Sequence, residues 1–405
     1  MKKVLLFLVV AGLAVGLAQA QTPQVRKLWQ IQPVGNEEVV GCSVDTANGG
    51  RDPWVIALVG GKLRAFDRQG GERVAISVPQ PGKVWWSRDI KFFGTFPNGE
   101  LRDRSGNGIG STPPYPGYVE IADDGNAFVI RGWPRVPTPR RPPDSTQTWS
   151  DVASRTFSND TLMFFDKSGH MKRLIPAPYD GLFGQHYAYP KNRFSKDGSR
   201  FVVLLGNGST LCSYDRVGNL IWRDSLQTGC WTYAISKDGS VFAVFSKRKA
   251  PGYRGMHGNT LWGRFYDKNG RVESEVQLGI VDTLRYRSWS NQSDISADGN
   301  HALFNAGGFM VKVTKNPPKV DWRIEAKEDY HASFGNGLFT FNGDYVVAQL
   351  GVENKGKEVV VLDSQGRIIF EDLNAPYWNI RTSGGGNFFV SYGSNAVALY
   401  EIVTQ

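Results

Sequence analysis

Residues 195–223 read SKDGSRFVVLLGNGSTLCSYDRVGNLIWR, and this stretch holds one complete copy of a pattern that recurs along the chain. A small polar residue before Asp197-Gly198 comes first, and an apolar run follows it. A second apolar run then ends at Tyr214-Asp215, three residues before a glycine. Asp or Asn before Gly accepts the left-handed backbone of a two-stranded hairpin, so both marks predict tight turns. The stretch therefore predicts a four-stranded antiparallel meander, with the first turn joining strands a and b and the second joining strands c and d.

Both marks repeat in a fixed order. The first mark recurs at 122–125, 195–198, 236–239, 296–299 and, more loosely, 341–343, and the second recurs at 66–70, 165–169, 214–218, 266–270 and 362–366. The aspartates of the second mark stand 99, 49, 52 and 96 residues apart, and a repeat near 49 residues is typical of a propeller or a solenoid.

Counting these units predicts an all-β, seven-bladed β-propeller. The units span approximately 38–78, 118–176, 187–226, 231–279, 293–326, 334–373 and 379–404. The long interval between Asp67 and Asp166 leaves open an eighth, degenerate blade around 84–110 in place of a long insertion, and six blades remain a further alternative.

The last unit ends after its third strand, at 396–403, which would leave an open strand edge. Residues 27–31 resemble the fourth strands at 220–223 and 320–323, because each of these stretches has a Trp among apolar and charged residues. We therefore expect the N-terminal strand to complete the last blade and close the ring.

These repeats resemble those of known propellers. The Asp-Gly turns are similar to the repeats of TolB-type and WD40-like propellers, and Tyr214 to Gly218 followed by Trp222 resembles the repeat of quinoprotein (PQQ-like) propellers. The resemblance covers nearly the whole mature chain. It implies a β-propeller fold and a non-enzymatic member of this superfamily, and it indicates no particular activity. Quinoprotein dehydrogenases would require a pair of adjacent cysteines and an acidic calcium cluster, and no two cysteines are adjacent here.

The first twenty residues predict a secretory signal peptide. Lys2 and Lys3 precede an apolar run from Val4 to Leu17, and cleavage is expected after Ala20. Residues 21–405 then form a single propeller domain, and no later stretch approaches the roughly 20 apolar residues of a membrane span. The sequence thus predicts a periplasmic or secreted protein.

Three cysteines, Cys42, Cys212 and Cys230, remain in the mature chain, so at least one thiol has no partner within it. A bridge between Cys212 and Cys230 stays open, although the predicted strands do not make them neighbours.

The connections between strands are unequal. In a four-stranded blade the a–b and c–d turns lie on one side of the disc, and the b–c and d–a connections lie on the other. The marks are short, whereas four long segments, 79–117, 131–157, 247–261 and 281–292, are assigned to the second side. The net charges of these segments are +2, +3, +4 and +1, whereas the whole mature chain has a net charge of +7. The rest of the mature chain therefore has a net charge of about −3. The long-loop side is therefore predicted to be basic.

Aromatic and basic residues mix in these segments, and such residues anchor interfaces and bind carboxylate or phosphate groups. The partner-binding candidates are Trp85, Trp86, Arg88, Trp133, Arg135, Arg140, Arg141, Trp149, Lys247, Arg248, Lys249, Tyr253, Arg254, His257, Arg285, Arg287 and Trp289. We expect a scaffold that binds an envelope or extracellular protein, or an acidic polysaccharide, and no nucleic acid. In the alternative structural interpretation, the tryptophans pack the loops onto the disc and the arginines are only solvated.

An enzyme is the alternative class: a hydrolase, lyase or lactonase with its site at the mouth of the central channel. The sequence names no catalytic residue for it, because the five histidines are scattered among different units. No cofactor is predicted. Asp103, Ser105 and Asn107 begin like a calcium loop, but Pro114 stands where a bidentate Glu is needed, so calcium is a minor alternative.

Overall fold

The fold is described by a computed structural model of the chain. It describes residues 23–35, 37–47, 52–78, 84–87, 92–95, 100–103, 106–111, 117–122, 124–132, 161–176, 193–205, 209–226, 230–246, 260–280, 291–306, 308–325, 333–340, 343–352, 356–376, 379–383 and 386–403. Within these ranges the regular structure consists of β-strands.

The first strand is β1 (Gln24–Ile31), and the strands after it follow in groups of four, which we call blades. Blade I is β2 (Val39–Ala47), β3 (Asp52–Val59), β4 (Lys62–Phe66) and β5 (Glu72–Ser77); blade II is β6 (Val84–Trp86), β7 (Phe92–Thr95), β8 (Glu100–Asp103) and β9 (Gly108–Ser111); blade III is β10 (Gly117–Ile121), β11 (Ala127–Gly132), β12 (Thr161–Asp166) and β13 (Met171–Pro176); blade IV is β14 (Arg193–Phe194), β15 (Arg200–Leu205), β16 (Thr210–Asp215) and β17 (Leu220–Ser225). Blade V is β18 (Cys230–Ile235), β19 (Val241–Ser246), β20 (Thr260–Tyr266) and β21 (Val272–Ile280); blade VI is β22 (Asn291–Ile295), β23 (His301–Ala306), β24 (Phe309–Thr314) and β25 (Lys319–Glu325); blade VII is β26 (Ser333–Phe339), β27 (Val346–Val352), β28 (Gly356–Leu362) and β29 (Ile368–Asp372); blade VIII is β30 (Asn379–Thr382), β31 (Phe388–Gly393) and β32 (Ala396–Val403), with β1 as its fourth strand.

Each blade is a four-stranded antiparallel meander, and the described residues form eight of them, not seven. The additional unit is blade II, which occupies most of the segment 79–117 that the sequence assigned to a connecting loop. Its strands have only three or four residues. Apolar runs this short give no clear strand pattern, so the seven-blade prediction was wrong and the degenerate-blade alternative was correct.

The ring is closed by the N-terminal strand, as predicted. β1 pairs antiparallel with β32 from Gln24 opposite Val403 to Ile31 opposite Val397, with one irregularity between Lys27 and Trp29. β2 of blade I contacts β30 and β31 of blade VIII, so the first and last blades are neighbours. Closure leaves no open seam between the ends of the chain.

The c–d turns explain why Asp-x-x-Gly recurs. In blade I, Oδ1 of Asp67 accepts the backbone N–H groups of Gln69 at 2.9 Å and Gly71 at 2.8 Å. Gly70 has φ +81°, a conformation that side chains with a Cβ rarely adopt. The same pair of hydrogen bonds is made by Asp166, Asp215, Asp267 and Asp363. The aspartate and the glycine are thus both required by the turn.

Tryptophans on outer strands link one blade to the next. The indole of Trp222 on β17 lies against Gly270, in the c–d turn of blade V, so closely that an added Cβ would overlap the ring. Trp322 packs against Gly366 and Trp29 against Gly70 in the same arrangement, with slightly more space around the glycine. These tryptophans therefore act as packing residues between blades.

The core lies between the faces of neighbouring blades. All six residues of β19, β24 and β31 are buried. Between blades V and VI, for example, Phe242 and Phe265 pack against Phe304 and Phe309. Stacking of these apolar faces fixes the blades around a common axis and orients their inner strands.

Candidate functional site

The strand bounds locate the long connections on one side of the ring. The a–b and c–d connections have four to six residues. The long ones, 133–160, 177–192, 247–259 and 281–290, are all b–c or d–a connections and all fall between blades III and VI. We call this sector of the ring, defined by those four connections, the loop face. The connection 177–192 is an addition to the segments that the sequence singled out.

Two of the predicted candidates lie elsewhere. Trp85 and Trp86 are on β6, the a strand of blade II, and β6 leads directly into the a–b turn that begins at Ser87. In that turn the N–H of Phe92 donates to Ser87 Oγ at 3.2 Å, as Arg200 does to Ser195 in blade IV. Trp85 and Trp86 therefore lie within a blade strand, outside the four connections that define the loop face.

The other candidates lie outside the described residues. They are Arg88, Trp133, Arg135, Arg140, Arg141, Trp149, Lys247, Arg248, Lys249, Tyr253, Arg254, His257, Arg285, Arg287 and Trp289. The same holds for the predicted signal peptide at 1–20.

The a–b and c–d turns form the opposite side, which we call the turn face, and the aspartates of its c–d turns accept hydrogen bonds within those turns. A hydrogen bond from Lys172, together with the amides of His170 and Ser168, holds the pKa of Asp166 at about 2. Burial raises the pKa of Asp67, but hydrogen bonds from the Gly71 amide and other donors outweigh it and lower the pKa. These charges stabilise turns and are not free for a ligand.

The calcium-like segment is the c–d turn of blade II. Asp103 Oδ1 accepts the Asn107 N–H at 2.9 Å, and Oδ2 accepts Asn107 Nδ2 at 3.0 Å. Gly106 has φ +87°, like the glycines of the other c–d turns. Asp103 therefore makes the contacts of a turn aspartate. Among the described residues, no three His, Cys, Asp or Glu side chains are grouped closely enough to share a metal ion.

The three cysteines are buried free thiols, so Cys212 and Cys230 form no bridge. Cys212 packs between blades III and IV, and Cys230 packs between blades IV and V. Burial raises the pKa of the Cys230 thiol to about 12 and raises that of Cys42 further. Neutral buried thiols are poor nucleophiles, so these cysteines act as core residues.

The a strands of neighbouring blades contact one another, as β18 contacts β22 and β26 contacts β30, which places them around the central axis. From blade V to blade VIII, polar side chains of the inner strands, together with Asn305 on β23, make hydrogen bonds along this inner edge. Thr232 Oγ1 lies 3.1 Å from Ser293 Oγ, and Asn305 Oδ1 accepts the N–H of Gln292 at 3.3 Å. Asn305 Nδ2 in turn donates to the carbonyl of Gly335 in blade VII.

Blades VII and VIII continue this array with a cation. Arg381 on β30 donates from Nη1 to Asn379 Oδ1 at 2.7 Å and to the Ile380 carbonyl at 2.9 Å. Asn336 on β26 also donates to Asn379 Oδ1, across the blade boundary. We define the polar inner wall as Thr232, Gln292, Ser293, Asn305, Asn336, Asn379 and Arg381.

Sequence reasoning missed the polar inner wall, although part of its signal is visible. Asn379 and Arg381 alternate with Ile380, which is fully buried, while the two polar residues are half-buried. That alternation indicates a strand with one polar side. The contact between Asn336 and Asn379 joins two repeats, and no spacing within one repeat predicts it.

Eight antiparallel meanders closed by the N-terminal strand define a β-propeller. No family model matches the chain, and no curated protein matches it. Among solved structures, the chain is similar to BamB from Moraxella catarrhalis, with a TM-score of 0.53, 13% identity, and coverage of 93% of this chain and 100% of that chain. The Cps50 (Swd1) β-propeller domain of Myceliophteria thermophila has a TM-score of 0.49, 11% identity, and coverage of 94% of this chain and 100% of that chain.

At 13% identity, the likeness to BamB shows the fold and leaves function to be argued from the site. It confirms the resemblance to propeller repeats that the sequence carries. The described part of the chain has no helix of the length and hydropathy that crossing a bilayer requires.

Proposed function

We propose that this protein is an exported β-propeller scaffold that binds an anionic partner, an envelope protein or an acidic polysaccharide, through the loop face. The observation that carries the proposal is topological. Every connection of ten residues or more between described strands is on one side of the ring and within blades III to VI. Loops held by a rigid scaffold are where binding residues concentrate.

The charge of these connections supports an anionic partner. The connection 247–259 contains Lys247, Arg248, Lys249 and Arg254 and no acidic residue. The connection 133–160 contains four arginines, among them Arg140 and Arg141, and three aspartates. Arg is a residue of choice for carboxylate and phosphate because its planar fork donates two parallel hydrogen bonds.

The turn face differs in the way that this proposal requires. The aspartates of its c–d turns accept hydrogen bonds from their own turns, and several of its cations pair with them, such as Arg367 with Asp363 at 2.7 Å. Short, internally satisfied turns offer few groups to a partner. The proposal therefore assigns binding to one side of the disc only.

The test is binding to two anionic polymers, alginate and poly-L-glutamate, measured by biolayer interferometry at low and high salt. The variant changes Arg140, Arg141, Lys247, Arg248, Lys249 and Arg254 to Ser. Exposed ion pairs contribute about 0.5 kcal/mol each, so the loss of six cations should weaken binding by roughly 100-fold. Binding by the wild type should also fall as salt rises.

A matched variant removes six cations from the turn face and rim: Lys167, Arg223, Lys237, Lys268, Arg271 and Lys319, all exposed. It has the same net charge as the loop-face variant and should bind like the wild type. If both variants lose binding equally, only net charge matters and the proposed loop-face site is wrong. If the wild type binds neither polymer, the next measurement is a pull-down from envelope extract with the wild type and with the loop-face variant. The proposal would be rejected if the wild type captured no protein that the loop-face variant fails to capture.

A further inference from the structure

The guanidinium of Arg381 has one edge in use and one edge open. An arginine side chain carries five N–H donors in a fixed fork. Those of Nη1 donate to Asn379 Oδ1 and to the Ile380 carbonyl. Within the described part of the chain, no acceptor is bonded to Nε or Nη2, and no carboxylate lies within ion-pair distance. Nε and Nη2 form the edge that binds a carboxylate with two parallel hydrogen bonds.

In other arginines of the described residues, this edge of the guanidinium is bonded to a carboxylate. Arg264 donates from Nε to Glu275 at 2.7 Å and pairs with Asp224 at 2.7 Å. Arg102 donates from both Nε and Nη2 to Glu100 Oε2, at 3.1 and 2.6 Å. Both lie on c strands, where an acidic residue of the same blade accepts from Nε. Arg381 lies on an a strand beside the central axis, where its described neighbours Asn336, Asn379 and Cys42 are uncharged groups.

The surroundings of Arg381 fix its position without neutralising it. Asn379 Oδ1 accepts from Arg381, from Asn336 and from the N–H of Ile380. Tyr392, opposite Asn379 in the ladder between β30 and β31, is buried behind them. A half-buried cation held by neutral amides has a strong field, because little solvent screens it. Such a group favours a single negative charge at its open edge.

A second open group lies next to the first. Asn336 donates from Nδ2, and its Oδ1 accepts no hydrogen bond from the described residues. A ligand that meets both groups needs a carboxylate for the arginine and a hydroxyl donor for the amide oxygen. Hydroxy acids of the sugar-acid type combine the two.

We infer that Arg381, Asn379 and Asn336 form a binding site for a sugar acid at the inner edge of blades VII and VIII. The site is separate from the loop face of blades III to VI and does not depend on the function proposed for it. It binds a monocarboxylate without covalent chemistry. Arg381 supplies the charge, and the two asparagines supply position and the contact to hydroxyl groups.

The experiment measures binding of four probes to the mature protein by calorimetry and saturation-transfer NMR: D-galacturonate, acetate, galactose and sulfate. We expect D-galacturonate to bind with a Kd on the order of 1 mM. Acetate lacks the hydroxyls, and galactose lacks the charge, so each should bind at least 10-fold more weakly. Acetate equal to galacturonate would overturn the sugar-acid assignment, and sulfate equal to galacturonate would overturn the carboxylate assignment.

Two variants locate the site, and one serves as the control. Arg381→Gln should abolish galacturonate binding, and Arg271→Gln, which removes the same charge from an exposed c–d turn, should leave it unchanged. Asn379→Asp keeps the guanidinium in place but pairs it with a carboxylate, so this variant should also abolish binding. It tests the site independently if Arg381→Gln does not fold. Wild-type affinity in folded Arg381→Gln or Asn379→Asp protein, or no saturable binding by the wild type, would overturn the inference.

Discussion

The outer and inner parts of the blades use polar residues in different ways. In the c–d turns the same aspartate recurs from blade to blade and is satisfied in the same manner, as Asp267 and Asp363 show. On the inner strands that the structure describes, polar residues make contacts that differ from blade to blade, as Thr232, Asn336 and Arg381 show. The hydrogen-bonded turn residues that repeat from blade to blade determine the ring structure. Chemistry that does not repeat is where a propeller distinguishes itself from others of the same fold.

Removing the outer strand of blade VIII should have the largest effect. Deletion of residues 21–33 removes β1, its ladder with β32 and the packing of Trp29 on Gly70. An open edge and an incomplete blade should lower the Tm by more than about 10 °C. Thermal melting followed by circular dichroism checks this, and an unchanged melt would mean that β1 does not close the ring.

Replacing a turn glycine should have the next largest effect. Gly270 has φ +85° and lies against Trp222, so Gly270→Ala meets both backbone strain and a clash, at a cost of about 3 kcal/mol. Gly35→Ala separates the two causes, since its φ is +68° but nothing lies within 4 Å of the added Cβ. Gly108→Ala has neither problem and serves as the control. Urea unfolding ranks the three, and equal stability of Gly270→Ala and Gly108→Ala would contradict the prediction.

Acid should weaken the turns by a smaller amount. Hydrogen bonds hold the pKa of Asp166 at about 2, and amide and arginine donors lower that of Asp363 despite its burial. Because these folded pKa values are below the unfolded value of about 3.9, the stabilisation is complete above about pH 4 and is lost as the pH falls toward 2. The Tm should drop across that window, and less so in Asp363→Asn, which keeps an acceptor without the charge. Parallel Tm curves for the two proteins would contradict this.

The smallest effect on stability should come from the inner wall. Arg381→Gln removes two hydrogen bonds of a half-buried side chain and leaves the core unchanged, so the free energy of unfolding should change by less than about 1 kcal/mol. The same urea titration checks it. A loss as large as that of Gly270→Ala would show that Arg381 is a structural residue, and the contrast between outer and inner parts would fail.

The repeated turn residues also explain why the fold can be predicted from the sequence. Asp67, Asp166 and Asp363 reveal their blades because each turn needs an aspartate and a glycine at a fixed spacing. Blade II carries the same residues in weaker form: Asp103 precedes Gly106, but no aromatic residue or leucine stands before it. Its a–b turn begins at Ser87 and has no Asp-Gly pair. The pattern therefore does not distinguish a long insertion from a degenerate blade, and it does not show that Trp85 and Trp86 belong to a strand.

The inner wall was not predictable in the same way. Sequence periodicity assigns Asn336 and Asn379 to strands but does not show that they meet, because their contact depends on how two blades stack. The loop-face candidates, including Arg140 and Arg254, came from composition and topology, and they stay predictions because they lie outside the described residues. Composition can indicate that a surface is basic and aromatic, whereas a binding site is defined only when the contacts of its residues are known.

The pairing of β1 with β32 joins the first and the last of the described strands. A ribosome makes nearly the whole propeller before residue 24 can find residue 403, so the ring cannot close on a partial product. Premature termination leaves β1 without its partner strand and exposes an unsatisfied edge that proteases and chaperones recognise. Ring closure therefore selects for full-length synthesis, because only a chain that contains both β1 and β32 can complete blade VIII.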